Sequence, residues 1–220
     1  MSSYAKSIQN GSRQLRDAGV EDPVGDARIL MMWASGQTRS DLMLNENNEV
    51  SKTVLRRFSR AIKRRHNHEP IAYITGEKAF WSLNFIVNQH VLIPRPETEA
   101  IVEQAVRVLQ GRQNPRILDI GTGSGAILLS ILAETKIAHG IGLDISSSAL
   151  NVARANAKTH GLTERSDFIQ SNYLDVFNDV EHAVFGQKFD VVVANPPYID
   201  DDAMGKLPRN VAGYEPHLAL

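Results

Sequence analysis

The sequence predicts an α/β protein: a small helical domain and a β-hairpin ahead of a parallel sheet. Three observations lead there. Residues 1–75 place their apolar positions at helical spacing. The stretch after Glu77 alternates apolar and polar residues, as paired strands do. Beyond residue 115, short apolar runs alternate with helical stretches, a repetition that right-handed crossovers wind into a parallel sheet. The chain of 220 residues divides accordingly into a helical part (1–75), a hairpin linker (76–95) and a sheet domain (96–220).

Taken in order, "SYAKSIQNGSRQLRDAG" carries Tyr4, Ile8 and Leu15 on a helix that Gly19 can stop. "DPVGDARILMMWASG" starts with Asp22 as a cap and Pro23 in the first turn. "TRSDLMLN" reads as a short third helix. "SKTVLRRFSRAIKRRHNHEP" stripes Leu55, Phe58 and Ile62 along a fourth, ended by Pro70. The hairpin alternates around Phe80, Leu83, Phe85 and Val87, and "PRPETEAIVEQAVRVLQG" supplies a helix with acids in its first turn and Gly111 behind it. "RILDI", "HGIGLDI", "RSDFIQS" and "KFDVVVAN" are four strands; "GAILLSILAET" and "SSSALNVARANAKTHG" are the helices between the first three.

Composition narrows the function classes. Hydrophobic residues make up 42% and charged residues 22%, both globular values. No apolar run approaches the roughly 20 residues of a membrane span, and the first residues lack the apolar core of a signal peptide. A soluble, cytoplasmic protein is expected. The absence of cysteine excludes disulfides, thiolate metal sites and a cysteine nucleophile. None of the seven histidines has metal-ligand spacing with a partner acid, so no metal is expected and all seven read as structural or exposed. A net charge of −1 argues against general nucleic-acid binding. The fourth helix nevertheless carries Lys52, Arg56, Arg57, Arg60, Lys63, Arg64 and Arg65 with no acid from Ser51 to His68. That is either a solvated face or a docking surface for an acidic protein or an RNA-rich partner.

"LDIGTGSGA" stands where the first strand turns into its helix. Gly121, Gly123 and Gly125 let the loop turn sharply and let a ligand approach the backbone, although a tight turn needs glycine for its own sake. Asp144 ends the next strand about 20 residues on, where an acid accepts hydrogen bonds from ribose hydroxyls. The spacing is G-x-G-x-G rather than the dinucleotide G-x-G-x-x-G. Asp119, two residues ahead of the turn, would repel a pyrophosphate and suits the amino group of S-adenosylmethionine.

The fourth strand ends in "NPPY". In an open α/β sheet ligands bind beyond the carboxyl ends of the strands, so Asn195, Pro196, Pro197 and Tyr198 should share a crevice with the glycines. The Asn195 side-chain oxygen and the Pro196 carbonyl can accept both N–H bonds of a planar NH2 group while Tyr198 packs on its face. The nitrogen lone pair then faces an electrophile, the arrangement that methyl transfer from a sulfonium requires. A Pro-Pro turn with Asn as a local cap is the plain alternative.

With these residues in view, the chain resembles the HemK/PrmC family, protein-glutamine methyltransferases that modify peptide chain release factors. The likeness covers nearly the whole length through "EPIAYITGEKAFWSLNF", "LIPRPETE", "LDIGTGSGAI", "LDISSSALNVARANAKTHG", "VVVANPPYI" and "GYEPHLAL". It implies a class I, Rossmann-like, S-adenosylmethionine-dependent methyltransferase sheet. The cofactor S-adenosyl-L-methionine, leaving as S-adenosyl-L-homocysteine, is then held by Asp119, Gly121, Thr122, Gly123, Ser124, Gly125, Asp144 and Asn195, with Tyr173 against the adenine. Asn195, Pro196, Pro197 and Tyr198 form the pocket for the glutamine of a Gly-Gly-Gln motif, with Asn195, Pro196 and Tyr198 as catalytic residues. The helical domain is implied to grip a remote part of the release factor. Asn172 stands where relatives have an acid, and four strands are legible where relatives complete seven, so the sheet is expected to be truncated at its carboxyl end. The alternatives are amino-methylation of adenine in DNA or RNA, and a non-catalytic fragment that binds release factor or cofactor. The neutral charge balance disfavours nucleic acid as the direct substrate.

Overall fold

The computed structural model describes residues 2–178, 186, 188–197 and 208–220. They form two compact units: residues 1–75 with 208–214, and residues 76–207 with 215–220.

The helical unit holds α1 (Tyr4–Asp17), α2 (Pro23–Ser35), α3 (Arg39–Leu44), α4 (Lys52–His66) and α5 (Ile71–Thr75). Each of the first four starts with a side chain that accepts a backbone N–H left unpaired by the helix: Ser3, Asp22, Thr38 and Ser51. Thr38 and Asp41 cap reciprocally. Leu15, Leu30, Met31, Phe58 and Ile62 meet in its core, and Gly11 lets Phe58 and Ile62 pack directly on the α1 backbone.

The basic helix α4 ends earlier than its sequence predicts. It stops at His66 because Asn67 caps it and His68 turns to φ 67°. Arg65 fixes that turn by donating to the Glu69 carbonyl at 3.1 Å, and Pro70 precedes the short α5 instead of ending α4. Three of the seven cations of α4 make contacts within the unit. Arg57 lies over the Trp33 ring at 3.9 Å, Arg65 pairs with Asp26 at 2.6 Å, and Arg64 holds Glu69 and the Tyr73 carbonyl.

In the second unit, β1 (Glu77–Phe80) and β2 (Leu83–Ile86) form the antiparallel hairpin. Its turn puts Trp81 at φ 54°, costly for an aromatic residue, and two acids hold it there. Glu99 accepts from the Trp81 backbone N–H and Glu134 from the indole N–H, each at 2.8 Å. "PRPETE" makes a tight 3-10 turn at Pro96–Thr98 before α6 (Glu99–Leu109) begins. Then follow β3 (Arg116–Ile120), α7 (Ala126–Glu134), β4 (His139–Asp144), α8 (Ser147–Thr159), β5 (Ser166–Gln170) and β6 (Val191–Ala194); α9 (Arg209–Ala212) belongs to the helical unit.

The four sheet strands are all parallel, in the order β5-β4-β3-β6. The chain builds outward from β3 through β4 to β5, then returns to the other side of β3 for β6. The strand order therefore reverses between β3 and β6, the point at which an open α/β sheet leaves a crevice beyond the carboxyl ends of its strands. Among the described residues no helix is long and apolar enough to cross a membrane, and no cluster of His, Asp and Glu could hold a metal ion.

Candidate active site

The β3–α7 turn builds one bank of that crevice. Gly121 and Gly123 sit at φ 72° and 55°, and a Cβ added to either meets nothing within 4 Å. Their conformation explains glycine in the turn, and the open space explains what the turn is open to. Gly125 serves differently: a Cβ there would press on Leu129 at 3.0 Å and Ala153 at 3.3 Å, so it allows close packing behind the turn. The Thr122 N–H donates to the Leu143 carbonyl and the Gly125 N–H to the Thr122 carbonyl, both at 2.8 Å. Gly142 makes room for Thr122, whose hydroxyl would lie 2.9 Å from a Cβ at that position.

Asp144 ends β4 half-buried, with Oδ2 accepting from the Gly123 N–H and Oδ1 from the Ser146 N–H, each at 2.9 Å. A carboxylate has about four acceptor directions, so both oxygens keep capacity for a ligand's hydroxyls. Asp119 is placed otherwise than its sequence position suggests. It is 1% exposed and lies beneath the turn instead of lining the cavity. Its Oδ2 accepts from the Thr122 hydroxyl at 2.7 Å, while Oδ1 has no hydrogen-bond partner. Burial, reinforced by the Asp144 charge and opposed by the Thr122 hydrogen bond, pushes this carboxyl up to about 7 from 3.8.

The other bank comes from β6. Ala194 pairs with Ile120 in the parallel register, so the next residue, Asn195, emerges beside Gly121. The strand stops at Ala194, and Asn195 lies just past it, free of the ladder. Gly121, Thr122, Gly123, Ser124, Asp144, Asn195 and Pro197 line one cavity of about 110 Å³. Asn195 is half-buried, and its side chain makes no hydrogen bond to another described residue. Pro196 is exposed and outside the lining, and Tyr198 lies outside the described residues. Tyr173 also stands away from this cavity, 57% exposed at φ 49°. It follows Ser171, whose N–H donates to the Asp144 carbonyl at 3.0 Å, and the neighbouring Asn172 donates to Asp175 at 3.1 Å.

Three contributions escape sequence reasoning. The first is Asn156, fully buried on α8. Its amide group donates to the Ile86 carbonyl at 3.0 Å and the Ser124 carbonyl at 2.9 Å, and its oxygen accepts from the Ile86 N–H at 2.7 Å. One side chain thus ties the hairpin to the glycine turn. The second joins two distant segments. Arg95 pairs with Glu215 at 2.6 Å, and the Ile93 N–H donates to the same buried carboxylate at 3.2 Å. This brings Pro94, Arg95, Leu218 and Ala219 into the cavity wall. The third is His90, read from sequence as structural or exposed, which stands in the lining. A signal existed for the second alone: "LIPRPETE" and "GYEPHLAL" were distinctive segments without an assigned task.

The residues present fit S-adenosylmethionine. The turn offers an open cradle above Gly121 and Gly123, and Asp144 offers pre-aimed acceptors.

Comparison with known proteins agrees with this geometry. Residues 7–76 match the PrmC N-terminal domain and residues 112–212 a methyltransferase domain. A release factor glutamine methyltransferase of Bradyrhizobium diazoefficiens is 40% identical over 222 residues, covering 98% of this chain and 72% of its own length. One of Caulobacter vibrioides is 38% identical over 207 residues, covering 94% and 69%. A bifunctional methyltransferase of Rickettsia typhi is 36% identical over 231 residues, covering 97% of this chain and 43% of its own length.

Proposed function

The chain belongs to the release factor glutamine methyltransferase family, and on that premise we propose that it transfers a methyl group from S-adenosylmethionine to the side-chain amide nitrogen of a release-factor glutamine in the cytoplasm. The observation that carries the reading is the placement of Asn195. The β3–β6 register sets an unpartnered primary amide beside Gly121, in the cavity of the glycine turn.

When bound, S-adenosylmethionine supplies an electrophilic methyl group. The work of the protein is to present a poor nucleophile to it. Gly121, Gly123 and Ser124 would hold the cofactor's amino-acid end, and Asp144 would accept from its ribose hydroxyls. The Asn195 side-chain oxygen accepts one N–H of the glutamine amide, and the Pro196 carbonyl is the candidate for the other. Both acceptors strengthen their hold as positive charge develops on that nitrogen, which lowers the barrier rather than merely binding substrate. Because an amide nitrogen that has gained a methyl group would be strongly acidic, its surplus proton would pass to water, so no strong base is needed among these residues. Tyr198 belongs to the same proposal as the face that covers the amide.

Incubation of a bacterial release factor with the protein and S-adenosylmethionine, followed by peptide mass measurement, tests this. One added methyl on the glutamine of the Gly-Gly-Gln segment is expected. A methyl found instead on adenine of added DNA, with the release factor unmodified, would reject the reading.

A further inference from the structure

Helix α4 carries more positive charge than its own stability can use. The cations engaged inside the helical unit lie toward its base: Arg57 over Trp33, Arg64 on Glu69 and Arg65 on Asp26. The other four, Lys52, Arg56, Arg60 and Lys63, are exposed and make no ion pair among the described residues. At about 3.6 residues per turn they fall within an arc of roughly 80° and run along about 16 Å of the helix, on the side opposite the buried Phe58, Ala61 and Ile62. Helix energetics oppose this arrangement. Lys52 stands in the first turn, where the helix dipole disfavours a cation. Lys52, Arg56 and Arg60 repeat one charge at the four-residue spacing that brings like charges together. Of the acids just beyond the helix ends, Glu49 precedes the cap Ser51, and Glu69 is already bonded to Arg64.

The chemistry of this crest decides what it suits. Every exposed position of α4 is polar or charged, so the crest lacks the apolar anchors found at the centre of a protein interface, from which lysine is depleted. The only exposed ring on the helix, His66, stands outside the crest with Nδ1 on the Gln14 carbonyl at 3.2 Å, so no ring is placed among the cations to stack on an unpaired base. A row of charges without anchors or rings matches a ladder of phosphates. Along one strand of a duplex a phosphate recurs about every 3.4 Å, so the crest faces about five of them. The exposed hydroxyls of Thr53 and Ser59 flank the row, one on each side, where they can meet the 2′-hydroxyls that distinguish RNA from DNA. We propose that the crest of α4 binds the phosphate backbone of double-helical RNA without reading its sequence. This RNA is bound and left unmodified, so the inference stands apart from the reaction proposed above.

Titration of the full chain into a short labelled RNA duplex, at several salt concentrations, tests the proposal. Wild-type affinity should fall roughly 100-fold between about 50 and 200 mM salt, as the release of about four counterions requires. Arg56→Gln with Arg60→Gln should weaken binding at least tenfold at the lower salt and halve the salt dependence. Arg28→Gln with Arg39→Gln removes equal charge from exposed positions elsewhere in the helical unit and should weaken it less than about threefold. Arg56→Lys with Arg60→Lys should bind as the wild type does, which separates lost charge from a damaged helix. A duplex of unrelated sequence should bind equally well. A DNA duplex of the same sequence should bind about threefold more weakly, and Thr53→Val with Ser59→Ala should close that gap. No binding of RNA at low salt, equal losses in the two glutamine pairs, or DNA bound as tightly as RNA would overturn the assignment. So would phosphatidylserine vesicles that bind through Arg56 and Arg60 while RNA fails to compete. Loss of release-factor binding in the Arg56→Gln, Arg60→Gln variant with RNA binding unchanged would assign the crest to a protein instead.

Discussion

The two banks of the cavity are built on opposite principles. On the glycine-turn bank several polar groups are already engaged: Asp144 by two backbone N–H groups, Thr122 by Asp119 and Leu143, the Ser124 carbonyl by Asn156. On the β6 bank Asn195 makes no hydrogen bond to a described residue and protrudes just past the last ladder position. Engaged groups give a surface its shape before a ligand arrives, whereas the unengaged amide beside them is the group we propose holds the reacting nitrogen. The contrast teaches where binding and turnover should separate: damage to the first bank weakens cofactor affinity or the fold, and damage to the second slows the chemistry.

The largest expected effect tests the second bank. Asn195→Ala should lower kcat by roughly 100- to 1,000-fold, the loss of one positioned polar group at a developing charge, about 3–4 kcal/mol. Cofactor affinity measured by calorimetry should change only a few-fold. A comparable loss in both quantities would erase the difference between the banks. Next comes the tie behind the turn. Asn156→Leu leaves the Ile86 N–H, the Ile86 carbonyl and the Ser124 carbonyl without their partner, and should cost about 2–3 kcal/mol of stability in denaturant unfolding. Unchanged stability would show that the turn holds its shape without α8.

Asp144→Ala sharpens the contrast from the other side. Removing its acceptors should weaken S-adenosylhomocysteine binding about 10- to 100-fold, roughly 1.4–2.8 kcal/mol, with kcat at saturating cofactor changed much less. The smallest effect concerns Asp119. Its carboxyl is pushed up to about 7 in the folded protein from 3.8. Between those values the folded state keeps a proton that the unfolded chain has released. The contribution of this one group to stability is therefore full below about pH 4, declines as pH rises toward 7 and is lost beyond. Asp119→Asn should flatten that part of the pH profile of unfolding; an unaltered profile would show that another group titrates there.

Much of this was legible in the sequence because it is local. The glycines of the turn, Asp144 at a strand end, and the amide and prolines after a run of valines each reveal themselves by residue type and spacing. Their convergence also follows, since parallel strands deliver their carboxyl ends to one edge. What stayed hidden depends on long-range pairing. Nothing at Asn156 announces that it bonds to Ile86, and nothing at Glu215 announces Arg95, because a buried partner 70 or 120 residues away leaves no periodic trace. Local charge density was misleading for the same reason. The cations of α4 read from sequence as one exposed basic face, yet three of them are engaged within the unit. Asp119 shows a further limit: spacing put it near the ligand, but the fold set it beneath Thr122.

The central claim is that the amide of Asn195, delivered by β6 to the edge of the glycine turn, holds the methyl-accepting nitrogen. A structure of the protein with S-adenosylhomocysteine and a peptide bearing Gly-Gly-Gln tests it most directly. The glutamine nitrogen is expected within about 3 Å of the Asn195 side-chain oxygen, with the Pro196 carbonyl as its second acceptor. A glutamine seated elsewhere, with Asn195 touching neither it nor the cofactor, would contradict the claim.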